Sequence, residues 1–160
     1  MQRRLLLKTL TSLAATAGVA PWAIAQTRPY IEVWKDPNCG CCKDWVVHLE
    51  ANGFQVKVND EGNAATRTRL GIPEKLGSCH TALVGGYAIE GHVPAADIHR
   101  LLKQKPQAVG LTVPGMPVGT PGMDAPIYEG RKDPYDVLLV LKGGNTRIYQ
   151  SYPSKSPAKS

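Results

Sequence analysis

Cys39, Cys41 and Cys42 place three of the chain's four cysteines in one run, Cys39-Gly40-Cys41-Cys42, directly after a strand-like segment. Thiols this close make poor structural staples, because a disulfide needs a defined Cβ geometry that near neighbours do not easily give one another. A cluster of thiolates suits either the binding of soft metal ions or thiol–disulfide exchange. The fourth cysteine lies in Ser78-Cys79-His80-Thr81, just before another strand-like run.

Soft thiolate ligands select Cu(I), Zn(II) or iron–sulfur clusters. Structural zinc favours cysteines spaced by two to four residues. Cys39, Cys41 and Cys42 are more crowded, and thiolates that bridge several metal ions relieve that crowding. Copper, as Cu(I), is therefore the metal expected here, ahead of zinc, and the usual spacings of iron–sulfur proteins are absent. Met116 and Met123 would add thioether sulfur, again a copper preference, if their loop folds over the site. As adaptable apolar side chains they would equally serve to fill the core. His80, beside Cys79, is either a further ligand or a loop residue bonded to backbone.

The competing chemistry is redox. Cys39 and Cys42 are themselves a C-x-x-C pair at the start of a helix, the pattern of thiol–disulfide oxidoreductases. Against it stands Cys41, a third thiol that invites wrong pairings. A third reading is a structural exported domain with two disulfides. The other histidines read as structural: His48 on a solvated helix face, His92 as a cap or brace of the last helix, and His99 as an exposed helix residue. Trp34 and Trp45 read as core.

The elements that must position these groups follow from the patterning. Tyr30 to Trp34 reads as a buried strand, and Asp36-Pro37-Asn38 turns the chain into the cysteine run. From Cys42 to about Asn52, Trp45, Val46 and Leu49 recur at helical spacing, with Gly53 as the stop. Phe54, Val56 and Val58 alternate as a second strand. A polar helix over Ala64 to Leu70 follows, then a hairpin of Thr81–Val84 and Tyr87–Glu90 around Gly85-Gly86, then a helix over Pro94 to Lys103. The order β-α-β-α-β-β-α predicts an α/β, thioredoxin-like core. In such cores the loop before the third strand passes beside the loop after the first, and it normally carries a cis-proline; here Cys79-His80 stands in its place. Cys79 is accordingly expected to join Cys39, Cys41 and Cys42 in one site. The helix N-terminus, with its unpaired N–H groups, is expected to lower thiol pKa values there. Pro106 to Ile127, rich in Pro and Gly, reads as one long functional or covering loop. Asp136–Leu141 and Thr146–Tyr149 read as a terminal hairpin.

The N-terminus reads as an export signal over residues 1–25, basic and then mildly apolar, ending in Ala23-Ile24-Ala25 with cleavage before Gln26. Arg3-Arg4 and the modest hydrophobicity fit the twin-arginine route. Cleavage removes Arg3, Arg4 and Lys8 and no acid, so the formal charge falls from +6 to +3. The remaining basic residues are scattered, which argues against a nucleic-acid surface. The apolar stretch is too short for a stable membrane anchor. One domain is expected over residues 26–152, with a flexible tail over 153–160. In an oxidising compartment free thiols need protection by a metal or a reducing partner.

These motifs resemble the CopG-type copper-resistance proteins, small periplasmic metal-binding proteins with a CxCC motif. The resemblance rests on Cys39-Gly40-Cys41-Cys42, Ser78-Cys79-His80-Thr81-Ala82, Glu90-Gly91-His92-Val93-Pro94-Ala95, Gly110-Leu111, Val113-Pro114-Gly115-Met116-Pro117 and Pro121-Gly122-Met123. It spans about Tyr30 to Tyr152. It implies a thioredoxin-like core, copper ions as partners in a copper-tolerance role, and contact with other periplasmic copper-handling proteins.

Overall fold

A computed structural model describes residues 27–153. The export signal over residues 1–25, its cleavage point before Gln26 and the tail beyond residue 153 lie outside the described residues.

Alternation along the first strand decides where the core sits. In β1 (Tyr30–Lys35), Ile31 and Val33 point to one face and are fully buried. There they meet Trp45 and Leu49 of α1 (Gly40–Ala51), together with Ala95, Ile98 and Leu101 of α3 (Ala95–Gln104). Between these helices in the chain come β2 (Gln55–Asn59), α2 (Ala64–Arg69), a 3₁₀ turn at Glu74–Leu76, β3 (His80–Val84) and β4 (Tyr87–Glu90). After α3 follow β5 (Gly110–Thr112), a 3₁₀ turn at Pro126–Tyr128, β6 (Tyr135–Val140) and β7 (Thr146–Tyr152). The opposite face buries Ala88 and Val140 against Ile72 and Leu76. The protein is thus an α/β sheet with helices on both faces, in the strand order β2-β1-β3-β4-β5-β6-β7. No helix among the described residues is long and apolar enough to cross a membrane.

Through α3 the elements come in the expected order, and the differences have local causes. Helix α1 starts two residues early, at Gly40, because the Asp36 carboxylate accepts the Asn38 N–H at 2.8 Å and closes the preceding turn at once. Cys41 and Cys42 therefore sit in the first helical turn, with Cys39 as the residue that caps it. In β2 only Phe54, just before the strand, is fully inside; Val58 is 37% exposed, since β2 is an edge strand.

The expected single loop over Pro106 to Ile127 is interrupted by β5. That strand has only three residues, parallel to β4, and too few positions to alternate visibly. Gly110 permits it, because any Cβ there would run into the backbone of Ala88, its cross-strand partner. The last strand runs three residues beyond Tyr149: Tyr152 stacks on Tyr135 with centroids 4.7 Å apart and donates to Asp97 Oδ2 at 2.6 Å.

Candidate metal centre

Strand register gathers the chemistry at one edge of the sheet. β3 runs antiparallel to β1 with Lys35 opposite His80, so the end of β1 lies beside the start of β3. The cysteine run leaves β1 here and Cys79 enters β3 here. β4 pairs with β3 with Glu90 opposite Thr81, and β5 runs parallel to β4 with Thr112 opposite Glu90. Gly91-His92 and Val113-Pro114-Gly115 consequently emerge at the same edge.

The sulfur geometry is close. Cys41 Sγ lies 3.6 Å from Cys39 Sγ and 3.9 Å from Cys79 Sγ, and Cys42 Sγ is 3.6 Å from the Cys79 carbonyl oxygen. All four sulfurs lie within 4.8 Å of one another. Cys39 and Cys42 are joined as a disulfide, while Cys41 and Cys79 are free. The crowding that argued against a staple is relieved by the helical turn, which brings residues three apart to the same side.

The helix start is expected to lower thiol pKa values at this site, but Cys79 shifts the other way. Burial, and then the neighbouring charge of Cys41, push the Cys79 thiol up to about 12. The helix dipole acts within the first turn of α1, and Cys79 is on the facing loop. Any metal bound there must therefore displace a proton.

His80 is fully buried with its Nδ1 3.3 Å from Cys79 Sγ. Its ring lies between Trp45, at a centroid distance of 4.2 Å, and His92, at 4.9 Å. Its Nε2 is buried without a partner. Burial first, then the charges of His92 and Lys35, hold its pKa well below the ordinary 6.5, so the ring is neutral.

His92 is the functional candidate that sequence reasoning missed. It does not cap the last helix. His48 does: its Nε2 accepts the N–H of Ala95 at 3.1 Å, which makes it half-buried rather than a solvated face. Pro94 precedes that helix and offers no side-chain acceptor, so the cap comes from across the fold. His92 is instead fully buried, with Nε2 3.2 Å from Cys79 Sγ and Nδ1 2.9 Å from the Pro121 carbonyl. A carbonyl only accepts, so Nδ1 carries the proton and Nε2 presents a lone pair to the sulfur. Burial lowers its pKa also. The available signal was topological: two antiparallel neighbours put the residues after β4 beside those before β3. His99 is exposed and stacks on Phe54 at 4.3 Å.

The two Pro-Gly-Met segments brace this edge in different ways. Gly115 N–H bonds to the Gly77 carbonyl at 3.2 Å, and the Ser78 hydroxyl donates to the Gly115 carbonyl. Gly122, at φ +84°, rests on the first turn of α1, where an added Cβ would lie 2.5 Å from Cys41 O. Only glycine allows both that approach and that φ. Met123 is buried and its Sδ accepts the Tyr128 hydroxyl at 3.7 Å, whereas Met116 is 51% exposed.

Glu90, on the other face of the sheet, holds the Cys79 loop. Its Oε1 accepts the Ser78 N–H at 2.6 Å and Arg67 Nε at 2.8 Å, and its Oε2 accepts the Thr81 hydroxyl at 2.5 Å. Arg67 also donates to the Ser78 carbonyl at 2.7 Å, and Asn63 reaches the same carbonyl at 3.2 Å. Burial outweighs the Arg67 partner and raises the carboxyl above its ordinary 4.5.

Similarity to known proteins agrees with this arrangement. A family described as "Protein of unknown function, DUF411" matches residues 76–123, which include Cys79, His80, His92 and both Pro-Gly-Met segments. Two solved structures titled "Copper resistance protein copG", Form 2 and Form 1, are each 48% identical with a TM-score of 0.72. Each covers 78% of this chain, which in turn covers 98% and 97% of theirs. No curated protein sequence matches.

The Glu90 carboxyl gives a pH test. With its pKa raised in the fold, the native state holds that proton more tightly than the unfolded chain does. This contribution to stability is full below 4.5 and is lost as pH rises through the raised value. Melting curves of the wild type and Glu90→Gln should show the wild type losing stability relative to the variant from pH 4.5 upward. A pH-independent gap would contradict the assignment.

Proposed function

The chain belongs to the CopG family of copper resistance proteins, and on that premise we propose that it is an exported, periplasmic protein that holds Cu(I) in copper tolerance. The observation that carries this reading is the convergence of four cysteine sulfurs within 4.8 Å, three from one helix start and one from the facing loop. Cys39, Cys41, Cys42 and Cys79 are its ligands, and His80 adds a buried, neutral imidazole at the side of Cys79. The compact sulfur group favours bridging, so more than one copper ion shares the four thiolates. Reduction of the Cys39–Cys42 disulfide precedes loading, because a disulfide sulfur is not a thiolate ligand.

Met116 and Met123 enter as thioether ligands when their loop closes on the loaded site; Met116, half exposed, has the freedom to do so. Export through the twin-arginine route, which carries folded cargo, leaves a mature chain from Gln26. Such a protein would store copper or pass it, or electrons, to other periplasmic copper-handling proteins.

One observation favours a second reading. The Cys39–Cys42 disulfide is a C-x-x-C pair closed at a helix start, as a thiol–disulfide oxidoreductase would carry it, with Cys39 as nucleophile and Cys42 as resolving thiol.

Protein taken from a periplasmic extract, checked by mass to begin at Gln26, reduced and reconstituted with Cu(I) and Zn(II) together, should retain more than one copper per chain and little zinc. Cys79→Ser should retain less copper. Zinc alone, or an unchanged copper load in Cys79→Ser, would sink the copper reading. Metal-free protein should give no insulin reduction above its Cys39→Ser variant; turnover that vanishes in that variant would establish the oxidoreductase reading instead.

A further inference from the structure

The closed disulfide divides the donors at the sheet edge into two sets. It removes Cys39 and Cys42 from metal binding and leaves Cys41 and Cys79 as free thiols. Cys79 is the one shared member of two convergent groups: the four sulfurs, and a separate trio of Cys79, His80 and His92 whose ligand atoms all lie within 4.8 Å. We infer that, with the Cys39–Cys42 disulfide closed, Cys79 Sγ, His80 Nδ1 and His92 Nε2 form a distinct binding site for one divalent ion of borderline softness.

Two observations support it. The first is spacing. An ion about 2.3 Å from sulfur and about 2.0 Å from nitrogen, with a tetrahedral angle between them, sets the two donors about 3.5 Å apart. The structure has 3.3 Å for His80 and 3.2 Å for His92, so a few tenths of an ångström of relaxation admit the ion.

The second is orientation. The bond from His92 Nδ1 to the Pro121 carbonyl, at 2.9 Å, fixes the tautomer and turns the Nε2 lone pair to the sulfur. Histidine ligands of metals are held by such a bond on the other ring nitrogen. Pro121 belongs to the segment whose next residue, Gly122, lies on the first turn of α1, so the orienting carbonyl is itself anchored.

The donor type differs from that of the sulfur group. Two neutral imidazoles and one thiolate suit zinc-like ions, whereas a set of thiolates alone suits Cu(I). The redox state of Cys39 and Cys42 would then decide which class of metal the edge takes, with Cys79 serving either.

Zn(II) is the probe, since it has no redox chemistry of its own with thiols or disulfides. Protein purified without reductant, shown by thiol counting to keep the disulfide closed, is loaded with Zn(II) and gel-filtered. One zinc per chain is expected, and X-ray absorption at the zinc edge should give one sulfur at about 2.3 Å with two imidazole nitrogens at about 2.0 Å. His92→Gln, checked for folding by far-UV circular dichroism, should lose that zinc. Should the variant fail to fold, the absorption spectrum of the wild type decides alone. No retained zinc, a shell without sulfur, or a shell with two or more sulfurs would overturn the inference. Neither copper nor reductant enters this experiment, so failure of the copper reading leaves its outcome intact.

Discussion

Glu90 has no exposure to solvent, yet three donors from two parts of the chain converge on its carboxylate: the Ser78 amide, the Thr81 hydroxyl and the Arg67 guanidinium. Burying a carboxylate is costly unless its oxygens are paired. Here the pairing fixes both ends of Ser78-Cys79-His80-Thr81 and so fixes where Cys79 stands. Thr81 and Glu90 are cross-strand partners on one face of the sheet. Alternation then sends His80 to the other face, onto Trp45. Leaving such a pair with one member costs on the order of 3–5 kcal/mol. The position of the fourth sulfur thus depends on an ion pair on the far side of the sheet.

The remaining parts of the edge are held by backbone. Gly122 lets one Pro-Gly-Met segment lie on the first turn of α1, and Gly115 ties the other to Gly77. The segments therefore act as straps across the cysteine loop and the Cys79 loop. Because His92 is oriented by the Pro121 carbonyl, the same strap that covers α1 also sets a ring against Cys79. Packing, tautomer and donor position are coupled through a few residues.

How much of this could be read beforehand depends on range. The cysteine run, the strand before it and the helix after it are local patterns, and Trp45, Val46 and Leu49 mark the helix without reference to anything distant. Cys79 was legible because the strand order constrains which loops meet. His92 and His48 were not, since their partners lie 13 and 47 residues away and follow from exact register rather than from spacing. β5 escaped notice because three residues beginning with a glycine carry no period. Crowding argues against a structural staple among these thiols, but Cys39 and Cys42 stand at C-x-x-C spacing, and a helix start supplies the turn that lets residues three apart meet.

The proposed function rests on four cysteine sulfurs, gathered at one sheet edge, holding Cu(I) as a shared group. X-ray absorption at the copper edge of the anaerobically loaded protein tests it most directly. Monovalent copper in an all-sulfur or sulfur-dominated shell, with a second copper close by, is the expected result. A single isolated copper bound mainly by nitrogen or oxygen would contradict it.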